Sequence, residues 1–282
     1  MAEAKRGTPF LEKAAVAAFG IVCLVVFICI RFPYGNFRGY LEQAIGEKIG
    51  RPVVLGPIHP HFPLGIRVSG VSVEGTERVK DLILRPHVLS PLTGKVGMDV
   101  KALLPAGSLT CSFDKPMGSL RTSMKARVQM ENFDSSLIHV LFSTKMEPRG
   151  AITGSIDLAG PSPSLEALGG SASIVWKDGF IPLSESQLPF DGLTFATMVM
   201  DSRIERGMVT LDKMELKGDM SGVVRGSVWM MDPAGRSRLN LTGELTLAQA
   251  LSSAMAAAPR GALKFSLRGT LDRPRFRILG SP

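Results

Sequence analysis

The chain is poor in reactive side chains. Its 282 residues include four histidines, three cysteines, two tryptophans and two tyrosines. Cys23 and Cys29 fall inside an N-terminal apolar run, and Cys111 stands alone in the rest. That excludes a disulfide framework downstream and any cysteine-based zinc site. No G-x-S-x-G, H-E-x-x-H, G-x-x-x-x-G-K-[ST] or strand-following G-x-G-x-x-G occurs. Leu92-Thr93-Gly94-Lys95 lacks the upstream glycine of a phosphate loop, and Val96 stands where Ser or Thr is needed. His59-Pro60-His61 has no acidic residue within 51–73 and reads as a loop leading into a sheet. His87 and His139 are isolated. Asp178 and Asp191 each precede glycine and read as turn residues, and with Asp157 and Asp201 they form no carboxylate pair for acid–base chemistry. No catalytic, cofactor-binding or metal-binding residue is assigned. The chain is read as a non-enzyme without a cofactor.

Charge of one sign is also not concentrated. Lys and Arg number 33 against 25 Asp and Glu, a net charge of +8, but the cations are scattered. Nucleic acid is therefore not an expected partner. The short cluster Arg273–Arg277 reads as a solvated strand face, or as one facing anionic lipid or a protein.

What the sequence does have is apolar residues, 45% of the total, with a mean hydropathy of +0.18. The run Ala14–Ile30, AAVAAFGIVCLVVFICI, carries no charge. It lies at the short end of the length that spans a bilayer, and Phe32 and Tyr34 extend it as interfacial aromatics. Residues 14–32 are read as a transmembrane anchor, with Ala14, Val16, Phe19, Ile21, Leu24, Val25, Phe27 and Ile30 in contact with lipid. Arg31-Phe32-Pro33-Tyr34 offers no small-x-small cleavage site, and Val22 before Cys23 does not suit a lipoprotein, so the anchor is read as uncleaved. Lys5, Arg6 and Lys13 precede the run, against Arg31 and Arg38 after it. Residues 1–13 are then a cytoplasmic tail, and the bulk lies outside the cytoplasm.

Residues 35–50 read as an amphipathic helix, stopped by Gly50-Arg51-Pro52. It suits the membrane surface or a sheet edge, and the need to cover an edge favours the second. From Val53 the pattern has period two. Leu239, Leu241 and Leu245 alternate with Arg238, Asn240, Thr242 and Glu244. Leu263, Phe265 and Leu267 alternate with Lys264, Ser266 and Arg268. These six apolar residues define a candidate apolar sheet face, and such alternation belongs to antiparallel sheets. Strands are expected at 66–74, 79–86, 95–102, 106–113 and 122–130, then as a meander over 193–247 joined by turns such as Arg206-Gly207 and Lys217-Gly218-Asp219. Helical turns are expected at 135–142, 164–168 and 246–258.

Two stretches carry a resemblance. GAITGSIDLAG…LEALGGSASIVWKDGFIPL, within 150–183, is similar to the strand–turn–strand unit of the AsmA-like and TamB-like proteins. LKFSLRGTLDRPRFRI, residues 263–278, is similar to their last hairpin. With the anchor and Phe32-Pro33-Tyr34, the layout resembles the type II secretion system protein N family. The resemblance implies a mainly β protein, in which a transmembrane helix precedes a long, twisted antiparallel sheet, an open groove or partly closed, with a few short capping helices. It implies a periplasmic domain over 51–282, tethered to a bacterial inner membrane by a single pass. It further implies a structural or adaptor role among other secretion-system proteins, or else the binding and transfer of phospholipid or another hydrophobic ligand.

Overall fold

The computed structural model describes residues 34–62, 64–88, 90–117, 124–141, 147–161, 167–182, 185–186, 192–218, 220–231, 234–247 and 263–279, with Lys13, Val16, Phe19, Gly20, Cys23, Phe27 and Arg31. Most of the expected anchor, and most of the expected helices at 164–168 and 246–258, lie outside the described residues.

Helix α1 (Tyr34–Ile49) comes first. Strands β1 (Val53–Leu55) and β2 (Ile58–His61) both pair antiparallel with β3 (Gly65–Val73). The chain then runs as a meander through β4 (Thr76–Pro86), β5 (Lys95–Leu103), β6 (Ser108–Pro116), β7 (Met124–Asp134), β8 (Arg149–Gly160) and β9 (Gly169–Pro182). A two-residue strand, β10 (Glu185–Ser186), leaves the path. The meander resumes with β11 (Gly192–Glu205), β12 (Met208–Lys217), β13 (Met220–Trp229), β14 (Arg238–Leu247), β15 (Leu263–Thr270) and β16 (Pro274–Ile278). β10 pairs parallel with β16, so the loop after β9 reaches the far edge. The protein is mainly β, one long antiparallel sheet that does not close.

Alternation in each strand becomes continuous rows because the strands pair in matching register. Leu84, Val100, Cys111, Val128, Ile156, Ala172, Ser202, Leu211, Gly226, Leu241, Leu267 and Phe276 stand opposite one another from β4 to β16. The next row, one residue along each strand, is Arg85, Asp99, Ser112, Arg127, Asp157, Ser171, Arg203, Thr210, Ser227, Asn240, Arg268 and Arg275. From β4 to β16 one face is therefore mainly apolar and the other mainly polar, because side chains two apart share a face.

The sheet edge at β1 is covered by α1. Leu41, Ile45 and Ile49 pack against the cluster of Val53, Leu55, Ile58, Val68, Val71 and Val73. Glu42 Oε1 accepts the Leu55 backbone N–H at 2.8 Å, satisfying a donor of the edge strand. Three placements correct the sequence reading. His59-Pro60-His61 is strand, not loop, and Pro60 fits because β2 lies at the margin of the sheet. Asp178-Gly179 is not a turn but an irregularity inside β9, where Asp178 has φ 47° and the register against β8 shifts between Arg149 and Ala151. Glycine is needed at 179 because a Cβ there would fall inside the Phe195 ring. Likewise, Thr246 and Leu247 end β14, paired with Ser221 and Met220, rather than beginning a helix. The helix expected at 135–142 is the short α2 (Leu137–Leu141).

Phe195 is the largest fully buried side chain, at 1% exposure, and meets Trp176 edge-on at 5.4 Å. Phe195→Ala is expected to cost about 3–5 kcal/mol, the range for truncating a buried phenylalanine. Val199→Ala, on the other face at 37% exposure, is expected to stay within about 0.5 kcal/mol. Urea unfolding of the two variants checks both values. Equal costs would mean that the apolar face is not the core.

Candidate ligand-binding face

The apolar face differs between its two ends. From β9 to β16 it is closed over: Phe195, Met198, Leu211, Leu216, Val224 and Phe276 are all under 9% exposed. Phe265 stacks on Phe276 at 4.9 Å. From β4 to β8 the face is only half covered, and Leu84, Val100, Val128 and Ile156 are all partly exposed. Met98 and Phe113, directly opposite one another, are each 37% exposed, and Val96 beside them is 55% exposed. At the other end of these strands, α2 brings Leu137 and Ile138 into a cluster with Leu104, Met130 and Phe133. A strip several strands wide is thus apolar, lined by aliphatic and sulfur-bearing side chains, and accessible. Cys111 lies within it, and burial pushes its thiol pKa up, so it behaves as a small hydrophobe.

The residues named from the sequence occupy the closed end. Leu239, Leu241, Leu245 and Phe265 are buried on the apolar face, Leu267 packs against the same cluster, and the side chain of Leu263 lies outside the described residues. Leu239, Leu241, Leu245 and Phe265 are therefore core rather than accessible surface. The accessible strip was missed because Asp99, Lys101, Thr110 and Ser112 dilute the apolar content of β5 and β6. The alternation Met98, Val100, Ala102 against Leu109, Cys111, Phe113 would have revealed it. Of the expected anchor residues, Val16, Phe19 and Phe27 are helical and exposed, while Ala14, Ile21, Leu24, Val25 and Ile30 lie outside the described residues. Among the described residues no helix is long and apolar enough to cross a membrane.

The polar face is held by cross-strand ion pairs. Arg67 donates two hydrogen bonds to Asp81, at 2.8 and 2.7 Å, and Arg203 donates two to Asp212, at 2.9 and 2.7 Å. Arg127 pairs across strands with Asp157. These pairs are solvent-exposed, so they set register more than they add stability. His87 sits between two carboxylates, its Nε2 3.0 Å from Asp99 and its Nδ1 3.4 Å from Asp114. The hydrogen bond to Asp99 raises the imidazole pKa, burial opposes it, and Asp114 adds to the rise. Burial pushes the Asp99 carboxyl up, but hydrogen bonds from His87 and Ser112 outweigh it and hold the group low. Gly97 leaves the room, since a Cβ there would clash with His87 and Asp114. Among the described residues no three His, Cys, Asp or Glu side chains are grouped to hold a metal.

No protein-family model matches this chain, and neither the characterised proteins nor the solved structures contain a match.

Because its folded pKa is raised, His87 stabilises the sheet most below its ordinary value of about 6.5, while the carboxylates are still ionised. That contribution is lost as pH rises through the raised value. The unfolding midpoint of the wild type should exceed that of His87→Gln at mildly acid pH, and the gap should narrow in alkali. A gap that widens with pH would show that the imidazole is neutral in the fold.

Proposed function

We propose that this protein is a non-enzymatic component of the bacterial cell envelope that binds an elongated hydrophobic ligand, such as a phospholipid acyl chain, along the apolar strip of β4–β8. The observation that carries this reading is the accessible continuity of that strip: Leu84, Val100, Cys111, Val128 and Ile156 stand opposite one another in successive strands and remain partly exposed. An adjacent exposed margin at Val96, Met98 and Phe113 extends it. Accessible apolar area of this kind marks a binding site rather than ordinary surface. In this reading residues 14–32 tether the chain to the inner membrane in a single pass. The N-terminus is cytoplasmic, and the β domain over 51–282 lies in the periplasm. Its relation to the AsmA-like proteins is part of the same proposal.

The second reading is a structural or adaptor component of the type II secretion apparatus. It is favoured by the polar face, where ion pairs hold side chains in a fixed array for a protein partner. Strand addition is the less suitable mode for such contact. α1 covers the β1 edge and β10 takes two residues of β16.

The full chain purified in mild detergent is expected to carry phospholipid, detected by mass spectrometry after solvent extraction. Val128→Asp, which puts a charge in the strip, should lower the bound lipid about tenfold. Phe113→Ser, at the exposed margin, should lower it without disturbing the fold. Wild-type protein free of lipid, yet still binding secretion components, would replace the first reading by the second.

A further inference from the structure

The two ends of strands β2–β7 differ in chemistry. At one end lie the β3–β4 turn, the β5–β6 turn and the last residues of β7. Glu74, Glu77, Glu131 and Asp134 are exposed there, while Leu104 is buried. At the other end lie the β2–β3 turn, the start of the β4–β5 connection and the last residues of β6. Phe62 is 91% exposed there, and Val88, Val96 and Met117 are each about half exposed. Acidic residues are withheld from this end, since neither 51–73 nor 82–98 contains Asp or Glu. Lys95 and Lys115 stand exposed among the apolar tips, Lys115 directly opposite Val96. Asp114 beside them is turned to His87.

Helix α1 fixes which end meets the N-terminal apolar run. Just past its C-terminus, Arg51 pairs with Glu74, so the helix ends at the acidic end. Near its middle, Glu42 holds the Leu55 N–H. From that point the helix runs about 12 Å back to Tyr34, at 1.5 Å per residue. β1 and β2, which both contact α1, run about 23 Å the same way to Phe62, at 3.3 Å per residue. Phe62 therefore reaches at least the level of Tyr34. Four residues separate Tyr34 from Ile30, so the apolar run begins no more than about 14 Å from that level. An aromatic ring and aliphatic tips flanked by lysine suit the boundary of a bilayer. The apolar groups enter the acyl margin and the lysines meet headgroup phosphates.

We infer that the sheet end marked by Phe62, Val88 and Met117 rests on the same bilayer that holds the N-terminal run. The β domain then has a second membrane contact besides its tether, and the acidic end points away from the lipid. This contact rests on the reading of residues 14–32 as membrane-bound, and it needs no ligand in the apolar strip.

The test reconstitutes the full chain in vesicles of phosphatidylcholine and phosphatidylglycerol and adds one tryptophan at a time. A W229F background leaves Trp176, 8% exposed, as the reference signal. F62W and M117W should each lose about half of the added emission when the acyl chains are brominated, because rings at the headgroup boundary lie within reach of the label. A106W, on the exposed β5–β6 turn at the acidic end, should lose none. F27W reports whether the apolar run itself lies in the bilayer. K95Q/K115Q should weaken the quenching of F62W in anionic vesicles and leave it unchanged in neutral ones. Circular dichroism confirms that each variant is folded. Quenching of F27W without quenching of F62W and M117W would overturn the inference and leave the anchor standing. No quenching of F27W would overturn both. Equal quenching of A106W and F62W would also overturn it, since the domain would then turn no fixed end to the membrane. V128D, which lowers the lipid held in the strip, should leave the quenching of F62W unchanged. A parallel loss would assign the signal to lipid in the strip and overturn the docking, so the two proposals fail separately.

Discussion

Everything in this protein depends on register. Antiparallel pairing places each residue opposite one partner, and from β4 to β16 the pairings follow one another without losing parity. Irregularities occur, at Asp201/Ser202, Leu211/Met214 and Met130/Phe133, yet each leaves apolar residues on the same side. A slip of one residue at any ladder would turn the following strands over and put arginine into the core. The cross-strand ion pairs and the large buried side chains oppose such a slip from the two faces. Charges paired on one face and rings packed on the other require the same alignment.

A sheet with one apolar face must cover it, and this chain does so unequally. Toward β16 the face closes over Phe195, Leu245 and Phe265, whose burial supplies the hydrophobic stabilisation that a long meander needs against its backbone entropy. Toward β5 and β6 the same face stays half exposed, where its side chains are Val96, Met98 and Phe113. Exposed apolar surface on a sheet is an aggregation liability unless something occupies it. A bound hydrophobic ligand would relieve that liability without changing the fold. The two edges are managed by other means, α1 at β1 and the short parallel β10 at β16.

The two faces therefore suit two different kinds of contact. The apolar strip offers dispersion and water exclusion, with Cys111 acting as one more hydrophobe. The polar face offers charge. The His87 cluster belongs to it, where the imidazole holds two neighbouring strands together through Asp99 and Asp114.

Much of the architecture is legible in the sequence. Period two in 238–247 and 263–270 marks strands with one apolar face, and Arg206-Gly207 marks a tight turn whose positive φ angles the structure shows. These are local properties of alternation and of residues that tolerate left-handed backbone. Other features required the assembled sheet. Asp178-Gly179 reads as a turn until Phe195, sixteen positions on, needs the space above Gly179. Leu239, Leu241 and Leu245 read as a surface as readily as a core, because alternation tells which side a residue faces and not what covers that side. The accessible strip and the clasp of His87 between two strands arise from pairings between segments far apart in the chain. The strands and their two-sidedness follow from neighbours two residues apart, so alternation along the chain is enough to set them. Which stretch of each face is buried, exposed or charged depends on which strands stand side by side, and so emerges only in the assembled sheet.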